Sequence, residues 1–337
     1  MDMADEKRTV VVTGGAGFIG SHLCERLLAD GKQVICVDSF ITSEVANIEA
    51  MLKNPDFEFI KLDINEAFDL ETFPELARFK LNVKGIQEIY HLACPTSAKK
   101  FDNLRIQTYL ANSVGMRNVL DMAVKYKARV LHASTSVVYG PRRPDGAKFV
   151  ETDLGITNHT SPRACYDEGK KFAESACFTY ASVFGLDIRV ARIFRTYGTR
   201  QRINDGEMIP DFVVDALEGR DLVVYGDENF STALIYVTDV VDGLVRLMKA
   251  SKNPGPVNFG GDEDIHLADV ARKVIEMTKS NSKLVFEAPL LFMTQLGLPD
   301  IRKASDELGW IPLVRLEDGL KRSIEYTLVT KGLARNI

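Results

Sequence analysis

Seven residues near the start of the chain, Gly14-Gly15-Ala16-Gly17-Phe18-Ile19-Gly20, restrict its fold more than any other stretch. The β-branched run Arg8 to Thr13 (RTVVVT) precedes them and suits a buried parallel strand. Ser21 to Asp30 follows with Leu23, Leu27 and Leu28 at helical spacing, and Gly31 stops that helix. Gln33 to Asp38 (QVICVD) is a second apolar strand, ending in an acid 18 residues beyond Gly20. Strand, glycine turn, helix, strand and acid together open a dinucleotide-binding unit. Gly14 permits the tight exit from the strand, Gly17 lets backbone approach a pyrophosphate, and Gly20 lets helix and strand pack closely. Phe18 and Ile19 carry the turn into a helix whose N-terminus faces the phosphates. Asp38 is placed to accept from the adenosine ribose hydroxyls, and its charge repels a 2′-phosphate, which selects NAD over NADP.

The alternation continues. Strands are expected at Phe57 to Leu62, Glu88 to Leu92, Arg129 to Ala133 and Asp187 to Ile193, with long helices over Leu104 to Tyr126 and Tyr166 to Phe184. This is an α/β pattern, a Rossmann-type doubly wound parallel sheet. Asp63-Ile64 ends the third strand, where such folds place an acid near the adenine amino group. The small residues Ala93-Cys94-Pro95 at the next strand end would let a cofactor lie against backbone. His91 reads as a buried strand residue, and Asn112, on the first long helix, faces the cofactor side. After about residue 196 the alternation weakens into short strands (Leu222 to Tyr225, Leu234 to Val237) and helices (Ile209 to Leu217, Val240 to Met248, Leu267 to Thr278, Leu316 to Tyr326), punctuated by prolines. Residues 1–195 are therefore expected to bind the cofactor and carry the chemistry. Residues 196–337 are expected to form a smaller α/β lid over the sheet's carboxyl edge that binds substrate.

Two features suggest the chemistry. Tyr166 and Lys170 are four apart and stack on one helix face. A cation beside a phenol favours phenolate, so the Tyr166 pKa is expected to fall from about 10 toward neutrality. Such a tyrosine takes a proton from a sugar hydroxyl as hydride leaves the same carbon. Thr135, in the Ser134-Thr135-Ser136 cluster at a strand's carboxyl end, is placed to bridge that hydroxyl and Tyr166.

Composition removes other classes. With 45% hydrophobic and 26% charged residues the chain reads as a globular enzyme, and a net charge of -5 without a basic run gives no case for nucleic acid or an anionic membrane surface. Cys24, Cys36, Cys94, Cys165 and Cys177 are scattered, without a CxxC pair; this argues against a disulfide framework or a metal site and for a reducing compartment. No apolar signal segment and no run of 18 apolar residues is present, so a cytoplasmic location is expected.

Gly14 to Gly20, Asp38, Thr135, Tyr166 and Lys170, in this order, resemble the extended short-chain dehydrogenase/reductase family, over nearly the whole chain. Ser161 to Lys170 (SPRACYDEGK), Val190 to Phe194 (VARIF), Asn204 to Val213 (NDGEMIPDFV) and Tyr236 to Met248 (YVTDVVDGLVRLM) are most similar to the nucleotide-sugar epimerase/dehydratase group, UDP-glucuronate decarboxylases above all. The resemblance implies Thr135, Tyr166 and Lys170 as the catalytic group. It also implies tightly bound NAD that oxidises a C4 hydroxyl and returns the hydride after the keto sugar has reacted, a nucleotide-sugar substrate, and a homodimer built on the two long helices. A net dehydrogenase, and a non-catalytic NAD-binding sensor or scaffold, are the competing readings.

The departures from the pattern concern the substrate. The decarboxylase glutamate after Ser-Thr-Ser is Val137, following Ser136, and the acidic pair of dehydratases is missing there too; epimerases carry small or neutral residues at this point. The Asn of Arg-Ile-Phe-Asn-Thr is Arg195. An arginine expected on the substrate phosphates stands as Thr232, and a second as Gly297. Arg195, Arg200 or Arg202 would compensate for the lost cations. The substrate is thus expected to be a different nucleotide sugar, or a nucleoside-like or sugar-like molecule with less phosphate, converted by decarboxylation, 4-epimerisation or dehydration.

Overall fold

The computed structural model describes residues 7–96, 101–203, 205–289 and 295–332. The first element, β1 (Thr9–Thr13), is buried throughout, as a central strand covered on both faces must be. The glycine turn leads from it into α1 (Phe18–Ala29) and on to β2 (Gln33–Asp38), β3 (Phe57–Lys61), the short α2 (Leu81–Lys84) and β4 (Glu88–His91). Helices α3 (Arg105–Leu110) and α4 (Met116–Tyr126) flank a π-helical turn at Ala111–Gly115, where one continuous helix was expected. Then come β5 (Arg129–Thr135), α5 (Ala164–Phe184) and β6 (Ile188–Ile193).

The remainder comprises β7 (Thr196–Tyr197), α6 (Met208–Leu217), β8 (Leu222–Tyr225), β9 (Ser231–Thr232), β10 (Ile235–Tyr236), α7 (Val237–Lys249), β11 (Pro256–Phe259), β12 (Ile265–His266), α8 (Leu267–Thr278), β13 (Leu284–Glu287), α9 (Arg302–Leu308) and α10 (Leu316–Thr330). Three two-stranded pairs, β7 with β10, β8 with β13 and β9 with β12, hold this part together.

Seven strands form one sheet in the order β11-β6-β5-β4-β1-β2-β3, and each neighbouring pair is parallel. The order reverses between β1 and β4, which makes a crevice at their carboxyl ends. Alternate residues of each strand enter opposite cores. Val10, Val12, Val34 and Cys36 pack with Leu23 and Leu27 of α1 and with Val241 and Leu244 of α7. Val11, Ile35 and Val37 pack with Val119 and Leu120 of α4 and with Ala173 and Cys177 of α5.

One strand lies outside the sequence expectation. The sequence alternation points to the strand at Asp187 to Ile193, β6, as the last clear parallel strand. Yet β11 returns from the carboxyl-terminal part and pairs along β6, Val257 beside Ala191. Its brevity and the prolines at its start, Pro254 and Pro256, hid it.

Candidate active site

A cleft of about 700 Å³ opens at the carboxyl ends of β1, β2, β4, β5 and β6. Gly14, Gly17, Phe18, Ile19 and Gly20 form its floor. Gly14 sits at φ +73°, and a Cβ there would fall 2.7 Å from the Ala93 amide nitrogen. At Gly20 a Cβ would lie 2.1 Å from the Gly14 carbonyl oxygen. Neither position tolerates a side chain, so strand, turn and helix meet backbone to backbone. Helix α1 begins at Gly17 with no side-chain cap and no acid in its first turn. Its amide dipoles are left for an anion.

Asp38 is held firmly at the rim. Its carboxylate accepts from the Ala16 amide at 3.0 Å, the Phe40 amide at 2.9 Å and the Ser43 hydroxyl at 2.6 Å. Asp63 accepts from the Asn65 amide at 3.0 Å and lines the cleft with Ile64 and Ala93. An uncapped helix end for phosphates, a fixed carboxylate for ribose and a strand-end acid are the donors and acceptors that a dinucleotide needs.

Thr135 ends β5, and Tyr166 and Lys170 occupy the first turns of α5; all three line the cleft. The Thr135 side chain acts on the Tyr166 phenol and favours its anion. The Lys170 Nζ is buried and donates to the Ala133 carbonyl at 2.9 Å, 5.9 Å from the Tyr166 ring centre. The expected fall in the Tyr166 pKa is not what the structure shows. Burial pushes the phenol well above its usual value, the neighbouring Cys94 adds to the rise, and the Arg163 charge and the Thr135 hydrogen bond only oppose it. Desolvation disfavours the anion more than a cation turned toward a carbonyl can favour it.

Asn112 does not line the cleft. It is buried at the π-helical turn, donating to the Thr108 carbonyl at 2.9 Å and to Cys94 Sγ at 3.3 Å; Cys94 in turn lines the cleft. Arg163 escaped the sequence reading. Its guanidinium lies 5.5 Å from the Tyr166 ring centre and bonds Asp167 at 2.7 Å. The signal was available, since a residue three before a helical tyrosine shares its face.

On the other wall, Ser136, Val137, Arg195, Arg200 and Arg202 line the cleft together with Glu207 and Leu296. Arg200 bonds Glu25 at 2.8 Å and Arg202 lies 3.6 Å from Glu44. Arg195 reaches Glu207 only at 3.9 Å, and its buried Nε has no partner among the described residues. Thr232 does not belong to this wall. It is buried in β9, beside Ile265 of β12, with its hydroxyl 3.4 Å from the Ala233 carbonyl. Gly297 packs beneath Phe149, where a Cβ would meet the ring at 2.5 Å. A register of motifs could not show that these two positions turn away from the cleft.

Residues 10–260 match the NAD dependent epimerase/dehydratase family. The chain belongs to that family. Its sequence is 39% identical over 321 residues to UDP-glucuronic acid decarboxylase 1 of Xenopus tropicalis, covering 95% of this chain and 72% of the relative. An epimerase from Methanothermobacter thermautotrophicus superposes with a TM-score of 0.85 at 26% identity, over 98% of this chain and 95% of that one. UDP-glucuronic acid 4-epimerase from Bacillus cereus, in complex with UDP-glucuronic acid and NAD, gives 0.82 at 28% identity, over 96% and 99%. This epimerase/dehydratase chain is thus an NAD-dependent enzyme of the lyase or isomerase kind, and the glycine floor and Asp38 fit that cofactor. Among the described residues no group of His, Cys, Asp and Glu could hold a metal, and no helix is long and apolar enough to cross a membrane.

Proposed function

We propose that this enzyme oxidises a C4-type hydroxyl of a nucleotide sugar to a ketone and reduces the product again before release, in the manner of a UDP-glucuronate decarboxylase with an altered substrate wall. The observation that carries this reading is one continuous cleft. It runs from the glycine floor and Asp38, past the Thr135–Tyr166 pair and Lys170, to a wall of arginines. Bound NAD supplies the hydride acceptor and donor. Thr135 holds the sugar hydroxyl against Tyr166, whose oxygen takes that proton as phenolate; because burial favours the phenol, Tyr166 must first release its own proton to solvent, so turnover is expected to rise with pH. Lys170 places positive charge beneath both and fixes the end of β5 through Ala133. Arg195, with a nitrogen still to satisfy, and Arg202 face the diphosphate, a charge-assisted bond worth about 1.5–3 kcal/mol each. Residues 1–195 thereby hold cofactor and catalytic groups, and 196–337 close the substrate side.

Val137 favours a second outcome. It puts a buried apolar side chain where the decarboxylase resemblance calls for glutamate, so 4-epimerisation of the same keto sugar competes with loss of CO₂. The convergence of Thr135, Tyr166 and Lys170 on one cleft speaks against a non-catalytic sensor.

A homodimer fits the surface. Ile106, Tyr109, Phe172, Phe178, Val183 and Phe184, on the adjoining helices α3 and α5, expose large apolar side chains that a second copy would cover as a four-helix interface. The five free thiols suit a reducing cytoplasm.

Mass spectrometry of the enzyme incubated with UDP-glucuronate, UDP-glucose and other nucleotide sugars tests the reading, alongside absorbance of NADH. Loss of CO₂ identifies a decarboxylase, and unchanged mass with altered stereochemistry an epimerase. Tyr166→Phe should keep NAD and lose turnover by roughly 10²- to 10⁴-fold. Steady accumulation of free NADH, or full activity in Tyr166→Phe, would sink it.

A further inference from the structure

Three consecutive residues of β5 each meet a different turn of α5. Thr135 faces the Tyr166 phenol, the Ala133 carbonyl accepts from Lys170 at 2.9 Å, and the Ser134 hydroxyl donates to Glu174 at 2.5 Å. Tyr166, Lys170 and Glu174 are spaced i, i+4, i+8, so one helix stripe is fastened to one strand end. The first two contacts involve the catalytic side chains themselves. The third uses a carboxylate outside the cleft lining, buried and clamped from the other side. Arg192 of β6 grips it with Nε at 3.0 Å and Nη2 at 2.7 Å.

The clamp extends further. Arg192 Nη1 donates to the Tyr139 hydroxyl and to the Glu151 carbonyl, both at 2.9 Å. Tyr139 donates to Asn258 of β11 at 2.7 Å. Asn258 in turn donates to the carbonyls of Phe149 at 3.0 Å and Asp300 at 3.3 Å. Phe149 bridges Pro299, three residues after Leu296 of the substrate wall.

We infer that Glu174, held by Arg192, is a positioning residue for the reaction: it sets the register between the end of β5 and the catalytic turns of α5, and ties that register to the 149–151 and 296–300 segments on the substrate side. A buried ion pair contributes little net stability against apolar residues of similar shape, and a role in fixing one geometry accounts for its presence. The inference rests on the roles proposed above for Tyr166 and Lys170. A displacement of about 1 Å at the reacting groups costs on the order of 10²-fold in rate.

Two double variants separate register from stability. Glu174→Leu with Arg192→Met removes the charges and the Ser134 acceptor. Glu174→Gln with Arg192→Met removes the charges and keeps an acceptor for Ser134. With UDP-glucuronate, the Leu/Met enzyme should lose roughly 10- to 100-fold in kcat with KM within about threefold and NAD retained, and the Gln/Met enzyme should recover most of that loss. A second readout needs no substrate. Tyrosinate absorbance, taken as a difference against the same protein carrying Tyr166→Phe, should show Tyr166 titrating at lower pH in the Leu/Met enzyme, as water reaches the phenol, and unmoved in Gln/Met. Equal kcat and equal titration in the two folded doubles would overturn the inference. If neither double folds, Ser134→Ala carries the test through the same titration, and an unmoved phenol there overturns it as well. Absence of turnover by the wild-type enzyme on nucleotide sugars refutes the functional reading alone, because the titration still decides this one.

Discussion

Two histidines in the central sheet make folding stability steeply dependent on acid. His91 of β4 and His132 of β5 are register partners, with ring centres 5.5 Å apart, and both are buried. His91 Nδ1 lies 2.7 Å from the Thr13 hydroxyl, whereas neither ring nitrogen of His132 has a partner among the described residues. Burial, with the Lys170 charge in support, pushes His91 down to about 3 and His132 well below its usual value. In the unfolded chain both return to about 6.5. The folded groups are therefore the weaker bases. Below pH 6.5 the unfolded chain takes up protons that the folded one refuses, so the stability these groups contribute is whole above pH 6.5 and is lost as pH falls. Each refused proton costs about 1.36 kcal/mol per pH unit. Moving from pH 7 to pH 5 crosses about 1.5 units of that range, or roughly 2 kcal/mol per histidine and 4 for the pair. That is a large share of the roughly 5–15 kcal/mol that holds a protein folded.

His132→Leu should halve the loss. At pH 7 it should also match or exceed the wild type, since two desolvated nitrogens without partners disappear. Urea unfolding of both proteins at pH 7, 6 and 5 measures this. Asp167 and Asp239, which burial raises, titrate with the opposite sign but cancel in the comparison. Parallel pH profiles for the two proteins would refute the reasoning.

Other expectations follow from surface and rim. Phe178→Asp on the exposed face of α5 should convert a dimer to monomer in light scattering, and an unchanged mass would remove that face as the interface. Asp38→Asn should weaken NAD by roughly 10- to 100-fold and narrow its advantage over NADP, read by calorimetry; an unaltered preference would free Asp38 from ribose selection.

Much of this enzyme was legible in the residues because its constraints are local. The β-branched Val10–Val12 run, the glycines that no Cβ can replace, and the i, i+4 spacing of Tyr166 and Lys170 are written within a few positions of one another. What depends on long-range packing was not. Tyr109, Val114, Phe172 and Val183 lie at helical spacing, yet they turn out exposed, on a side no periodicity distinguishes from the core. The π-helical turn at Ala111–Gly115 shifts the phase of a helix that otherwise reads as continuous. The phenol of Tyr166 responds to how much water reaches it, which spacing does not record. Thr232 and Gly297 match motif positions, but the backbone carries them into the packing behind the wall.

The seventh strand has a consequence for how the protein is made. β6 leaves the ribosome some sixty residues before β11, its partner on that flank. Until residue 259 emerges, a row of amides and carbonyls on β6 stands open beside Val190 and Ala191, the kind of edge that recruits other strands. The nascent chain must wait, or be shielded, through the synthesis of α6 and α7. A fragment ending at Arg195 would keep that edge for good, so it is expected to aggregate when expressed alone although the whole glycine turn is present.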